Sequence, residues 1–164
     1  MSVLSAPTAD AFAGDHGLPQ DFAEASDLAY RADQLMAADP NRFGPIANLE
    51  VAYLWKRRGG KSRGQLTLGK CKKATGDLRF FSGMDAVIWL AADHHAGLSD
   101  ERIEATLFHE LLHLGVDEES GLVELVGHDF EGFAAEVVKY GAILDDVQAM
   151  AGAFHQLALF AGEP

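Results

Sequence analysis

Residues 104–116 read EATLFHELLHLGV, and the chemistry in that stretch rests on His109, Glu110 and His113. On a helix, residues four apart lie one above the other, so both imidazoles can reach one metal ion. Glu110 then has no need to bind the ion. It is placed to take a proton from a water that the metal has made acidic, and to pass that proton to a leaving amine. The bland alternative is the polar face of an ordinary amphipathic helix, whose core stripe is Ile103, Leu107, Leu111 and Leu114. Leu111 and Leu112 separate the histidines, so the helix can be buried around a polar edge. Polar groups buried there need partners, and a metal supplies them.

A catalytic metal held by protein needs a third ligand. The long form of the motif, H-E-x-x-H-x-x-G-x-x-H, fails, because Val116 and Glu119 stand where Gly and His are required. Later candidates are His128, Glu131, Glu124, Asp117, Glu118 and Glu119. His128 is preferred: it follows a short strand and a glycine, and stands at the mouth of the next helix, where a turn can aim it back. Glu131, on the first turn of that helix, is the runner-up. Asp129 can cap the helix or orient a ligand.

The elements that must position these residues follow from periodicity and punctuation. Residues 1–19 read as a flexible leader. Residues 20–39 have helical spacing and stop before Pro40. A strand is expected over 46–56, with Val51, Tyr53 and Trp55 on one face. A Gly-rich turn and a returning strand over 65–74 follow. A third strand is expected over 85–92, where Val87, Ile88 and Trp89 favour one. The helix over 98–115 starts on Ser99 and closes at Gly115. A short strand at 121–129, a helix at 129–141 and a last helix at 142–162 complete the chain. Helices segregated from a small, mostly antiparallel sheet make an α+β domain over 20–164.

Composition narrows the function. The chain has 164 residues, 48% of them hydrophobic and 23% charged, which is ordinary globular composition. One cysteine, Cys71, excludes an internal disulfide and a Cys-rich metal site. With no signal-like N-terminus and no run of about 18 apolar residues, a cytoplasmic protein with no membrane partner is the expectation. Net charge is −12, yet nine of the 13 Lys and Arg lie between Lys56 and Arg79 with only Asp77 among them. That segment carries +8 and leaves −20 for the rest. The acidic bulk argues against broad nucleic-acid binding; the basic stretch leaves a local contact open, with a solvated hairpin as the simpler reading. Cys71 among lysines is read as a plain strand cysteine. His94 and His95 read as loop residues, and Tyr140 as a packing residue unless it points at a substrate carbonyl.

The stretch ATLFHELLHLGVDEESGLVELVGHDFEGFAAEVVKYG, residues 105–141, resembles the core of the phage metallopeptidase family, small zincin-like proteins of phages and prophages. His109, Glu110, Leu111, His113, His128, Asp129, Glu131, Phe133, Tyr140 and Gly141 carry the likeness. It covers about 46–142 in plan and leaves the leader and the tail 143–164 outside. The resemblance implies a minimal zincin fold similar to the SprT-like and ImmA/IrrE-type proteases, with a Zn2+ ion on His109, His113 and His128. It implies a protein or peptide substrate cleaved with Glu110 as base. In such layouts the strand 85–92 borders the cleft, so its edge would pair with an extended substrate, and His94, His95 and Tyr140 become candidate substrate contacts. The alternatives are an inactive metal-binding interaction module, against which the intact Glu110 counts, and a nucleic-acid-associated protease recruited by the 56–79 hairpin.

Overall fold

The computed structural model describes residues 3–14, 18–128, 133–141, 143, 144 and 148. Four strands form the main sheet: β1 (Phe22–Glu24), β2 (Val51–Lys56), β5 (Gly69–Lys73) and β6 (Ala86–Ala91), in the order β1-β2-β6-β5. β2 runs parallel to β6, while the outer pairs β1–β2 and β5–β6 are antiparallel. Helices α1 (Ser26–Ala38) and α5 (Asp100–Leu112) pack on one face. Leu28, Ala32, Ile88, Leu90, Ile103, Leu107 and Leu111 fill the core between them. The domain is α+β, with a mixed sheet.

The first helix is shorter than its periodicity predicts. Phe22–Glu24 is drawn into the sheet by pairing with β2, and the helix begins only at Ser26. Its entry is fixed by Trp55 Nε1, which donates to Asp27 at 3.1 Å. Pro40 ends α1 and opens α2 (Pro40–Phe43), where Asp39 accepts from the Arg42 N–H. A proline at the first position of a helix loses no hydrogen bond. The strand expected from residue 46 starts at Val51, because Gly44–Ile46 is a 3-10 turn.

The returning strand is split. β3 (Lys61–Ser62) and β4 (Gln65–Leu66) form their own hairpin, closed by Arg63 and Gly64 at φ 50° and 86°. Two positive φ values make the primed turn that suits a two-residue hairpin loop. Only Gly69–Lys73 joins the main sheet, and it pairs with β6 rather than β2. Strand 86–91 is therefore interior, and β1 and β5 are the two edge strands of this sheet, with the short strand Val123–Leu125 lying against β5. α3 (Gly76–Ser82), not read from the sequence, links β5 to β6 and ends at Gly83 at φ 71°.

The leader is not loose over its described residues. Leu4 and Phe12 are buried in the core, and the Gln20 N–H donates to the Phe12 carbonyl at 2.7 Å. The helix expected over 142–162 lies almost wholly outside the described residues, as do the candidates Asp129 and Glu131. Among the described residues no helix is long and apolar enough to cross a membrane.

Candidate metal centre

α5 is a helix for local and tertiary reasons together. Ser99 Oγ accepts from the Arg102 N–H, and Asp100 and Glu101 sit in the first turn, where the helix dipole favours acids. Ile103, Leu107 and Leu111 are fully buried. Each such side chain contributes about 1.5–3 kcal/mol of transfer free energy. The helix stops at Leu112, one turn earlier than the sequence predicts, with His113 as its C-cap. Gly115 is no helix cap. It lies in β7 (Leu114–Val116), where a Cβ would come within 2.9 Å of Val126 Cγ2. Its lack of a side chain lets β8 (Val123–Leu125) fold back antiparallel to β7.

That return places the third histidine. The Val126 N–H donates to the His113 carbonyl at 2.8 Å, and the Val126 carbonyl accepts from His113 Nδ1, also at 2.8 Å. Two residues later His128 meets both helix histidines, with ring centroids 4.9 Å from His109 and 4.6 Å from His113. One ligand atom from each of His109, His113 and His128 lies within 4.8 Å of the others. Phe133 is buried and sets its ring edge-on against all three imidazoles, at 4.9–5.3 Å.

The ring nitrogens are sorted into outward and inward. His109 Nδ1 pairs with Glu136 Oε2 at 2.7 Å, and His113 Nδ1 is committed to the Val126 carbonyl. The second nitrogen of His109, Nε2, is turned toward His128. His128 Nε2 stands 3.1 Å from His109 Nε2. Two nitrogens held about 2.0–2.1 Å from one tetrahedral ion are about 3.3 Å apart, so the spacing suits a metal. Burial holds the His113 imidazole below its ordinary pKa and so favours the neutral form that ligates.

Glu136 supplies a second sign of fit. It is fully buried on α6 (Ala134–Tyr140), and its Oε1 has no hydrogen-bond partner among the described residues. A buried carboxylate is costly without positive charge nearby, and a cation on the far nitrogen of His109 provides it. Sequence reasoning passed over Glu136, although a lone acid among Ala134, Ala135, Val137 and Val138 was a usable signal.

Glu110 lies under the open edge of the sheet. Burial pushes its carboxyl up to about 7, against the opposing pull of His109 and of the Cys71 N–H, which donates to it. Gly69 makes room: a Cβ there would stand 2.8 Å from Glu110 Oε1 and 2.8 Å from Leu90 Cδ2. A group that changes protonation near pH 7 beside a metal centre is suited to proton transfer.

The remaining candidates sit elsewhere. His95 belongs to α4 (Ala92–His95) and is buried, bonded through Nδ1 to the Ala91 carbonyl and through Nε2 to Thr106 Oγ1. It is a core residue, not a loop residue, and its ring offers no surface to a substrate. The half-buried His94 sets Nδ1 3.1 Å from the Thr67 carbonyl and so braces the lead-in to β5. The Tyr140 hydroxyl donates to Glu104 Oε1 at 2.7 Å, inside a cluster that Arg31 completes through its ion pair with Glu104. Tyr140 is thus directed at Glu104. The Cys71 thiol is buried and pushed up to about 12, first by burial and then by the Glu110 charge, so the neighbouring lysines do not activate it.

Among curated proteins and solved structures there is no significant match. A family model described as "Putative phage metallopeptidase" matches residues 20–155, reaching further at both ends than the 46–142 likeness seen in the motifs. With the three-histidine cluster inside that span, the chain belongs to the phage metallopeptidase family.

Proposed function

We propose that this chain is a cytoplasmic zinc peptidase of phage or prophage origin, in which His109, His113 and His128 hold the ion and Glu110 is the general base. The observation that carries the reading is the convergence of the three imidazoles within 4.8 Å, beside a buried carboxyl poised at about 7. Zinc suits a set of neutral nitrogen donors and, when bound, supplies Lewis acidity that lowers the pKa of water and polarises a carbonyl. Glu110 accepts the proton from the attacking water and returns it to the departing amine nitrogen. Glu136 holds His109 in the tautomer that ligates, and the Val126 carbonyl does the same for His113. Phe133 packs edge-on against all three imidazoles and so helps to fix their orientation.

The substrate main chain is assigned to β5, not to the interior strand 86–91. The Ala91 N–H donates to the Leu68 carbonyl, and the Ala74 N–H to the Asp85 carbonyl. These bonds bracket the ladder, so residues 68, 70, 72 and 74 bond inward. The main-chain groups of Gly69, Cys71 and Lys73 are then turned away from β6, and of these the Cys71 N–H is taken by Glu110. An extended peptide added there lies across Glu110.

The test is metal content by mass spectrometry on untagged protein, together with a peptide-cleavage assay. About one zinc per chain is expected in wild type and Glu131→Ala, and loss in His128→Ala. Cleavage should vanish in Glu110→Gln while the zinc stays. A wild type that takes up no metal after incubation with zinc would sink the proposal.

A further inference from the structure

The edge that borders Glu110 is also the basic part of the molecule. Gly69 and Cys71 face α5, as the packing of Glu110 against Gly69 and the burial of Cys71 require. Alternation along a strand then puts Lys70 and Lys72 on the opposite face, and both are exposed. Lys61 and Arg63, on the β3–β4 hairpin that leads into β5, are exposed as well. These four cations form no ion pair with a described residue. Their neighbours are otherwise engaged: Arg57 with Asp21, Arg79 with Asp85, and Lys56 over the Trp89 ring at 4.6 Å. Lys73 faces the charge of Asp117 at the far end of the strand. A chain of net charge −12 thus carries a run of exposed cations beside its cleft.

We propose that the cleft selects extended acidic segments of protein, with carboxylate side chains two residues apart set opposite Lys70 and Lys72. The proposal rests on the peptidase reading above for the position of the cleft. In an added strand, alternate side chains stand on the same face as Lys70 and Lys72 and directly opposite them, where opposite charges attract and like charges repel. Lys61 and Arg63 extend the positive rim past the end of β5. The net negative charge of the rest of the chain disfavours an acidic partner there, so approach is steered to this edge.

Three peptides of one length, differing only in acidic, neutral or basic residues at alternate positions, separate the possibilities. Binding is read by fluorescence anisotropy on zinc-loaded Glu110→Gln protein, and cleavage on zinc-loaded wild type. The acidic peptide should bind about tenfold more tightly than the neutral one, and the gap should shrink with salt. Lys70→Glu with Lys72→Glu should reverse the order between acidic and basic peptides, while zinc content and melting temperature stay as in wild type. Equal binding of acidic and neutral peptides overturns the inference, and cleavage of both then leaves the peptidase reading standing. Tight, charge-selective binding that Lys70→Glu with Lys72→Glu reverses, with no cleavage by wild type, supports the β5 edge as the acidic docking site and counts against the peptidase reading. A single-stranded DNA oligomer that binds more tightly than the acidic peptide and displaces it overturns the inference in favour of a nucleic-acid surface.

Discussion

On the proposed reading, the two walls of the cleft serve different partners. One wall is α5, the β7–β8 return and Phe133, and it turns ring nitrogens inward while burying a carboxylate behind them. The other is β5, an open strand edge with main-chain groups and lysines turned outward. The first wall suits a small cation and the second an extended chain. Glu110 stands on the first wall and touches the second, through the Cys71 N–H and against Gly69. Catalysis in this account depends on that meeting point, more than on either wall alone.

The largest effect is expected at the meeting point. Glu110→Gln should lower kcat about 10³-fold, as loss of a general base does, with zinc stoichiometry unchanged. A residual rate within tenfold of wild type would mean that the proton moves by another route. Gly69→Ala comes next. The added methyl must displace the Glu110 carboxylate, so kcat should fall up to about 100-fold with no loss of metal. The double variant should be no worse than Glu110→Gln alone, because both changes remove the same function. Independent losses would show that Gly69 serves only the packing of β5 against Leu90.

Breaking the metal wall from behind should cost less. Glu136→Gln keeps the shape but removes the charge behind His109, and should weaken zinc binding about 10–100-fold, measured by competition with a chelator. An unchanged affinity would make the Glu136 contact merely structural. The smallest effect lies outside the cleft, at His95. Burial lowers its pKa from 6.5, so the unfolded chain takes up this proton first as the pH falls. Its contribution to stability is complete above pH 6.5 and declines as the pH falls toward the folded value. His95→Gln should flatten the dependence of Tm on pH in that window, cost about 1–2 kcal/mol at neutral pH and leave zinc content alone. An unchanged slope would remove His95 as the titrating group.

What the sequence disclosed follows the range of the interactions involved. The spacing of His109 and His113, the Ser99 cap and the apolar stripe are local, and α5 was legible from them. His128 was legible as a candidate because a strand, a glycine and a helix start bracket it within a few residues. The identity of the open edge was not legible. Runs 65–74 and 85–92 both read as strands, and which one is interior depends on β2 pairing with β6 across the 29 residues between them. Phe22–Glu24 was lost to the helix for the same reason. Gly115 read as a helix stop because a cap and a close strand approach both call for glycine. His95 read as exposed because its partners, the Ala91 carbonyl and Thr106, become visible only once α4 packs on α5.

The most direct test of the central claim is a crystal structure of the zinc-loaded protein with anomalous data at the zinc edge. One peak is expected about 2.0–2.1 Å from Nε2 of His109, His113 and His128, with Glu110 near it but not bound to it. A peak ligated by Glu131 or Glu110 in place of His128, or no peak among these histidines, would contradict it.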